Sequence, residues 1–575
     1  MGEDNKESMT VYLERMVRKS PYATRRRVLA SGTAVSAVAL AGCIGGDGDD
    51  DDGDELIDPE DYDYDREEPD DEEAARESTI EYTQELERDE DFDPIHSNDA
   101  YSVQVSNLVF DGLYEWDDGL GLEPKVATDM PDVERDGTRY LYEINEGIEF
   151  HNGEELTASD VAHSFMAFQE EDSVNLAQYE MVDSAEVIDD YQVQVDLAYP
   201  YGPWELQTMA ISVVPESERE SESDREEFNT NPVGSGPFVF SDFEFNEYVT
   251  LERNEDYWDE PQPYLQEITF VDNVDAASRI GEIRAGDTDA IADVPNDDWS
   301  ELEDDDGIRV HISESPSYMH LTFNCRDDAP TSDPDVRRGI CHTFSMTDFV
   351  ESRLSNVAQP LSAPIPPITN EQWDFPLDDW QEEYYPGYDP DQAEELLNGA
   401  VDDDWSPTIV APGDHRGDLA ERIVTRLNEI GYDGAQAETL DFGTLLDRTV
   451  YNEEPSPDDF QAYLLGWTGG PDPDAYLYNL YHESQTGINQ AHFYEGSDSF
   501  HDDIAEAREL ADQEERYALY EGVMVEILEE LPSLPAYSFH NTMASRDYVK
   551  DLHAHPMVQQ NPRVVSEYGN VWTDN

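Results

Sequence analysis

Tyr140-Leu-Tyr-Glu-Ile-Asn-Glu-Gly-Ile-Glu-Phe-His-Asn-Gly-Glu-Glu-Leu-Thr-Ala-Ser-Asp-Val-Ala-His-Ser-Phe165 is the stretch on which the fold turns, because its local signals agree with one another. Tyr140, Tyr142 and Ile144 fall on one face of a strand. Asn152-Gly153 supplies a turn. Thr157 stands three residues before Asp160, so its oxygen can cap a helix carrying Val161, Phe165 and Phe168. Strand, turn and capped helix are a common unit of large α/β proteins and by themselves say nothing of function.

The flanking segments are Phe92-Asp-Pro-Ile95, Val109-Phe-Asp-Gly-Leu-Tyr114 and Glu123-Pro-Lys-Val-Ala127, and Phe150-His-Asn-Gly153 runs on to Phe165. Together they resemble the signature region of the family 5 extracellular solute-binding proteins, the dipeptide- and oligopeptide-binding components of ATP-driven importers. The resemblance implies an α/β, two-lobed periplasmic-binding-protein-like fold (type II, cluster C) with an extra subdomain in the first lobe. It extends from about Ile80 to Val565.

Composition narrows the partners. The 575 residues carry a formal charge of -105, from 137 acidic against 32 basic residues. A single-sign field of this strength argues against nucleic acid or anionic lipid as a binding partner. Screening acts over about 8 Å at physiological salt but only about 3 Å at 1 M, so the charge predicts a hypersaline medium in which surface carboxylates stop repelling. Hydrophobic residues make up 38% and aromatic residues 11%, enough for a sizeable core.

Residues 1–43 read as an export signal. Thr24-Arg-Arg-Arg-Val-Leu29 precedes a small apolar run too short to span a bilayer. The paired arginines resemble the signal for export of folded proteins. Leu40-Ala-Gly-Cys43 resembles a lipobox, so cleavage is expected to leave lipid on Cys43 and the chain tethered to the outer face of the cytoplasmic membrane. Residues 44–73 are dominated by Asp, Glu and Gly and read as an extended acidic linker.

The body divides, on this reading, into a first part of lobe I (74–111), an extra subdomain (112–198), a second part of lobe I (199–312), lobe II (313–540) and a return to lobe I (541–575). Ser78–Gln84 reads as the first strand and Ser102–Leu108 as the first helix. Ala185–Ile188 and Gln192–Leu197 read as alternating strands of the subdomain. Asn231-Pro-Val-Gly-Ser-Gly-Pro-Phe238 is a stiff bend and the second signature of the family resemblance. It is no phosphate loop, since no Gly-Lys-Ser/Thr follows. Asp389-Pro390 opens one helix of lobe II and Asp512, with Glu515 three residues on, another.

Binding without reaction is the expected chemistry. Two lobes closing on a solute expel water, and charged solute ends then need partners. Leu464-Leu-Gly-Trp-Thr-Gly-Gly-Pro-Asp-Pro-Asp-Ala-Tyr476 resembles the family's cleft segment. In dipeptide-binding relatives an acidic residue shortly after Gly-Trp holds the peptide amine. Here Gly469-Gly470-Pro471 occupies that place, which leaves Asp472 or Asp474 to take the role. The candidate solute contacts are Tyr101, Ser102, Tyr318, His320, Asn324, Gln359, Trp467, Thr468, Gly469 and Asp472. Trp467 is read as a stacking platform whose loss weakens affinity and leaves stability nearly unchanged.

Enzyme readings are weaker. His553-Ala-His555 has metal-like spacing but no His-Glu-x-x-His accompanies it, and no Gly-x-Ser-x-Gly is present. No catalytic residue, metal or cofactor is assigned. Cys325 and Cys341 could form a disulfide outside the cell or stay as buried thiols. The expected protein is a monomer that captures a small peptide or related polar solute for an ABC permease with separate ATPase subunits. An oligosaccharide, a nickel chelate or another organic solute on the same fold remains open, as do a surface hydrolase and a purely structural lipoprotein.

Overall fold

The computed structural model describes residues 59–62, 66–86, 91–97, 99–208, 211–402, 404–452, 455–456, 459–490, 492–566 and 569–574. The expected export signal and Cys43 lie outside them. Lobe I contains β1 (Thr79–Gln84) and α1 (Ala100–Val109). Its extra subdomain follows as β2 (Asp132–Glu134), β3 (Arg139–Glu143), α2 (Ala158–Glu170), β4 (Val182–Asp189) and β5 (Gln192–Leu197). The lobe resumes with β6 (Phe238–Glu244), β7 (Tyr248–Arg253), β8 (Glu267–Asp272), β9 (Ala290–Ala292) and β10 (Ile308–Ser313).

Lobe II comprises β11 (Ser317–Phe323), α3 (Pro334–Cys341), β12 (Ala358–Pro360), α4 (Pro390–Ala400), β13 (Thr408–Pro412), α5 (His415–Glu429), β14 (Gln436–Leu440), β15 (Ala462–Thr468), α6 (Asp474–Tyr481), α7 (Phe500–Glu509), α8 (Gln513–Glu530) and β16 (Ser533–Phe539). Strand β17 (Asn541–Arg546) then re-enters lobe I. The lobe I sheet has the order β10-β17-β9-β1-β8-β7-β6, and the lobe II sheet β12-β16-β11-β15-β13-β14. Strands β8 and β9 run parallel to β1, as β14 and β15 do to β13. No helix among the described residues is long and apolar enough to cross a membrane.

The anchor stretch folds as its signals dictate. Tyr140, Tyr142 and Ile144 are buried together. Gly153 takes the turn at φ +83°, and Thr157 and Asp160 form a reciprocal capping box at the start of α2. On α2, Val161, Phe165 and Phe168 face inward, and Tyr142 accepts a hydrogen bond from the Trp204 indole N–H at 2.8 Å. The two signature stretches meet in space. His151 N–H donates to Gly234 O at 2.8 Å, and Gly236 N–H to Val109 O at 2.9 Å. A Cβ on Gly236 would come within 2.7 Å of the Val109 carbonyl carbon, so only glycine permits this approach. Buried Asp111 accepts from Ser235 Oγ, Tyr257 OH and Trp258 Nε1 at 2.9, 3.0 and 2.8 Å, pinning the bend to the start of the subdomain.

One apolar cluster runs from Ile80 and Phe270 through Phe110 and Tyr114 to Tyr142 and Phe165. The subdomain therefore has a sheet of its own, β2-β3-β5-β4, but not a core of its own. The expected alternation at Ala185–Ile188 is absent: β4 is an edge strand with register shifts at Val182/Ser184 and Val187/Asp189, leaving Val187 and Ile188 exposed. The acidic linker also ends earlier than Glu73. Tyr62 sets its ring edge-on against Trp299 at 5.4 Å, and Trp572 Nε1 donates to Glu67 O at 2.8 Å. An aromatic ring inside the acidic run supplies the apolar surface that the charge count hid. Cys325 and Cys341 are free thiols; burial pushes them up to about 11 and about 12.

Candidate functional site

The chain crosses between lobes at two neighbouring places, from β10 to β11 through Glu314–Pro316 and from β16 to β17 through His540. Short serine side chains bind the crossings together. Ser315 Oγ donates to Phe539 O at 3.3 Å, and Phe539 N–H donates to Ser317 Oγ at 2.8 Å. In the antiparallel ladder Ser317 pairs with Thr468, so the end of β15 stands at this junction. Gly469 N–H donates to Pro316 O at 3.0 Å, and Tyr476 OH to the same oxygen at 2.8 Å. Trp467, Thr468 and Gly469 are thereby fixed, half-buried, where the lobes meet.

Several expected contacts share that place. Gln359 lies on β12 beside it and donates to Glu314 Oε1 at 2.9 Å. Tyr101, in the first turn of α1, is buried at 6% exposure and donates its hydroxyl to Asp293 at 3.3 Å, directly beyond the end of β9. Trp467 is held by its indole N–H, which donates to Ala475 O at 2.8 Å, and its ring packs against two apolar clusters of lobe II. The ring is thus a packing element of lobe II, and the expectation that its loss spares stability is corrected.

The other candidates are deeper than the sequence suggested. Tyr318 is fully buried, with its hydroxyl 3.1 Å from Tyr481 OH. His320 is 3% exposed, stacked on Tyr318 and edge-on to Tyr463; burial pushes its pKa down to about 3. Asn324 follows the far end of β11, a strand length or roughly 20 Å from the junction, where its side chain donates to Phe460 O at 3.4 Å. Ser102 is 1% exposed, its N–H bonded to the Asp99 cap at 2.8 Å.

Asp472 is the largest correction. It is fully buried, and both of its oxygens accept from Arg516, at 2.8 and 2.7 Å. It is not a free carboxylate awaiting an amine. Burial works against the charge on Arg516, but Asp472 and Tyr520 outweigh it and raise its pKa. Asp474 is likewise held by Arg508, at 2.7 Å, while burial lifts its pKa to about 6.

Position in the fold, not sequence, brings out Arg416. Helix α5 starts at the junction end of the lobe II sheet, with Asp414 as its cap. Arg416 is 2% exposed; its Nε and Nη2 donate to Asp414, and Nη1 is buried without an acceptor. The neighbouring Tyr537 hydroxyl is also unpartnered. His415 packs against Tyr537 and Phe539 at 5.8 and 4.8 Å, and burial lowers its pKa to about 4. An unmet guanidinium donor in a dry wall is costly unless an acceptor arrives. Nothing in the spacing around Arg416 announced this.

Metal-like clusters resolve differently. Asp93, His96 and Glu171 lie close enough to share an ion, but the Arg219 guanidinium already bridges Asp93 and Glu171. His555 is buried and its Nε2 meets Asp117 O at 3.2 Å, while His553 faces Asp551 at 3.6 Å, so the pair does not converge.

Residues 121–487 match the profile of the bacterial extracellular solute-binding proteins, family 5. Among curated relatives, the oligopeptide-binding protein AppA of Bacillus subtilis is 24% identical over 491 residues, covering 81% of this chain and 87% of the relative. Among solved structures, the periplasmic binding protein DppA of Helicobacter pylori in complex with the peptide STSA superposes with a TM-score of 0.66 at 23% identity, covering 87% of this chain and 99% of the other. The substrate-binding protein CtaP of Listeria monocytogenes does so at 0.74 and 18% identity, with 87% and 100% covered.

Proposed function

Given that the chain belongs to the bacterial extracellular solute-binding proteins of family 5, we propose that it captures a peptide or related polar solute between its lobes and delivers it, unaltered, to an ABC permease with separate ATPase subunits. The observation that carries this reading is the junction: two adjacent crossings, with the Gly466–Tyr476 segment hydrogen-bonded to one of them at Pro316. A solute touching both walls biases such a hinge toward closure. Tyr101 supplies the lobe I side; Gln359, Trp467, Thr468 and Gly469 supply the lobe II side. A solute carboxylate would meet Arg416 Nη1 and the Tyr537 hydroxyl.

Export by the paired-arginine signal, lipid on Cys43, a tether to the outer face of the cytoplasmic membrane and a monomeric free state complete the proposal. The formal charge of -105 supports a halophilic setting. An unfolding midpoint that rises with KCl concentration is the expected result, and full stability in dilute buffer would refute that part.

One feature favours a second cargo. In the cleft segment both carboxylates, Asp472 and Asp474, are taken by arginines, so that segment offers no free acid to a peptide amine. A solute without a free amino terminus fits this wall better than a dipeptide does. Mass spectrometry of solute retained through gentle purification decides between them. A retained peptide supports the first reading, a retained sugar or chelate the second, and turnover of the retained molecule would overturn both.

A further inference from the structure

The extra subdomain does not only enlarge lobe I; it touches lobe II directly. The segment Pro200-Tyr201-Gly202-Pro203 leaves the subdomain and runs against the loop between α7 and α8. Gly202 N–H donates to Arg508 O at 2.7 Å. A Cβ on Gly202 would overlap Leu510 O and come within 2.6 Å of Arg516 Nε. Gly137, at φ +81°, makes a similar approach, since a Cβ there would lie 2.7 Å from the Ala511 side chain. The Arg508 guanidinium stands over the rings of Tyr201, from lobe I, and Tyr478, from lobe II, at 5.0 and 3.9 Å from their centroids. It also donates to Asp474 at 2.7 Å, and Asp474 lies within the cleft segment as the first residue of α6. A second strap lies alongside: Gln372 Nε2 donates to Gly119 O at 2.7 Å, and Gln513 Nε2 to Gln372 O at 2.8 Å.

These contacts join the lobes in addition to the two covalent crossings, and parting the lobes there has to break them. Cations over aromatic faces attract strongly when partly desolvated, and a backbone hydrogen bond seated in a glycine notch cannot slide. We propose that Arg508 is a positioning residue for solute capture: with Tyr201, Tyr478 and the Gly202 N–H it forms a latch that holds the extra subdomain against lobe II in the closed state. Through Asp474 and Asp472 the latch is continuous with the Gly466–Tyr476 wall, so a solute that settles that wall also seats the latch. This rests on the reading of the protein as a closing, two-lobed receptor.

The test needs no known solute. Pro200 and Pro203 lack amide protons, so hydrogen exchange across residues 200–203 reports Tyr201 and Gly202 alone. The full exported chain is studied in molar KCl by hydrogen exchange and small-angle scattering. Arg508→Ala is expected to speed Gly202 exchange about tenfold or more and to enlarge the radius of gyration, while amides of β11 and β15 keep their protection. Arg508→Lys, which retains a cation, is expected to recover part of the effect. Gly202→Ala, whose Cβ would press on Leu510 O and Arg516 Nε, is expected to open the chain in the same way. Unchanged Gly202 exchange in Arg508→Ala, with unchanged scattering profiles in Arg508→Ala and Gly202→Ala, would overturn the latch. So would a uniform loss of protection that includes β11 and β15, which marks a merely structural arginine. A chain that opens and shuts as described yet takes up no solute would instead sink the functional reading and leave the latch standing.

Discussion

Asp472→Asn separates the two roles this residue could hold. The carboxylate is fully buried and makes two charge-assisted hydrogen bonds to Arg516, which is itself 3% exposed along its side chain. Asparagine keeps the volume but turns an amide N–H₂ toward guanidinium donors, leaving a buried cation uncompensated. Breaking such a pair by removing one partner costs about 3–5 kcal/mol. Arg516 keeps its bond to Ala507 O at 2.9 Å and to Tyr520 OH at 3.0 Å, which favours the lower end, about 3 kcal/mol. That is a large share of the ~5–15 kcal/mol by which domains are stable. The assay is urea unfolding in molar KCl, read as a fall in midpoint at constant slope. Because the pair is buried, salt should not erase the loss. Joint replacement of Asp472 and Arg516 by apolar residues should recover much of it, since no charge is then stranded. A loss under about 1 kcal/mol, the range of an exposed pair, together with a collapse in solute affinity, would refute this account and return Asp472 to the cleft as an amine partner.

Trp467→Ala is expected to lower stability by about 2 kcal/mol, less than a fully buried tryptophan would cost, and to weaken solute binding as well; calorimetry and unfolding on the same sample read both. Thr157→Ala removes the capping box of α2 and should cost about 1 kcal/mol in urea unfolding. Tyr142→Phe removes the acceptor of the buried Trp204 N–H, for an expected loss of about 1 kcal/mol. Asp474 titrates near 6 in the folded chain against an ordinary 3.8. Between those values the folded chain holds a proton that the unfolded chain lacks, so this group's contribution to stability grows as pH falls through the window. Asp474→Asn should remove that gain, seen as a difference in pH slope between the two proteins. His96 runs in the same direction at a higher pH: its hydrogen bond to Glu171 raises its pKa, so its contribution is full below about pH 6.5 and fades as pH rises through the folded-state value. His96→Gln should abolish that trend.

Much of the architecture could be read along the chain. The caps at Thr157, Asp389 and Asp512, the proline that opens α4 and the glycine bend at Gly234–Gly236 are written in residues next to the elements they start or stop. The site was less legible. The sequence does not say which positions along β11 are buried: His320 is 3% exposed, and Asn324 follows the far end of the strand. Arg416 carried no motif; it matters because α5 begins at the junction end of the sheet. Tyr62 sat in an acidic run whose composition masked a ring that packs on Trp299.

The sequence by itself determined the strand, turn and helix units, the two-lobed plan through its family signatures, and the charge of the surface. These follow from interactions between near neighbours and from summed composition, which survive without a folded context. Only the tertiary structure decided which acid meets which arginine. Asp472 and Arg516 lie 44 residues apart, and Arg508 stands between Tyr201 and Tyr478 from opposite lobes. Burial is what turns such a carboxylate from a solute contact into a structural partner, and burial belongs to the packed whole rather than to any stretch of it.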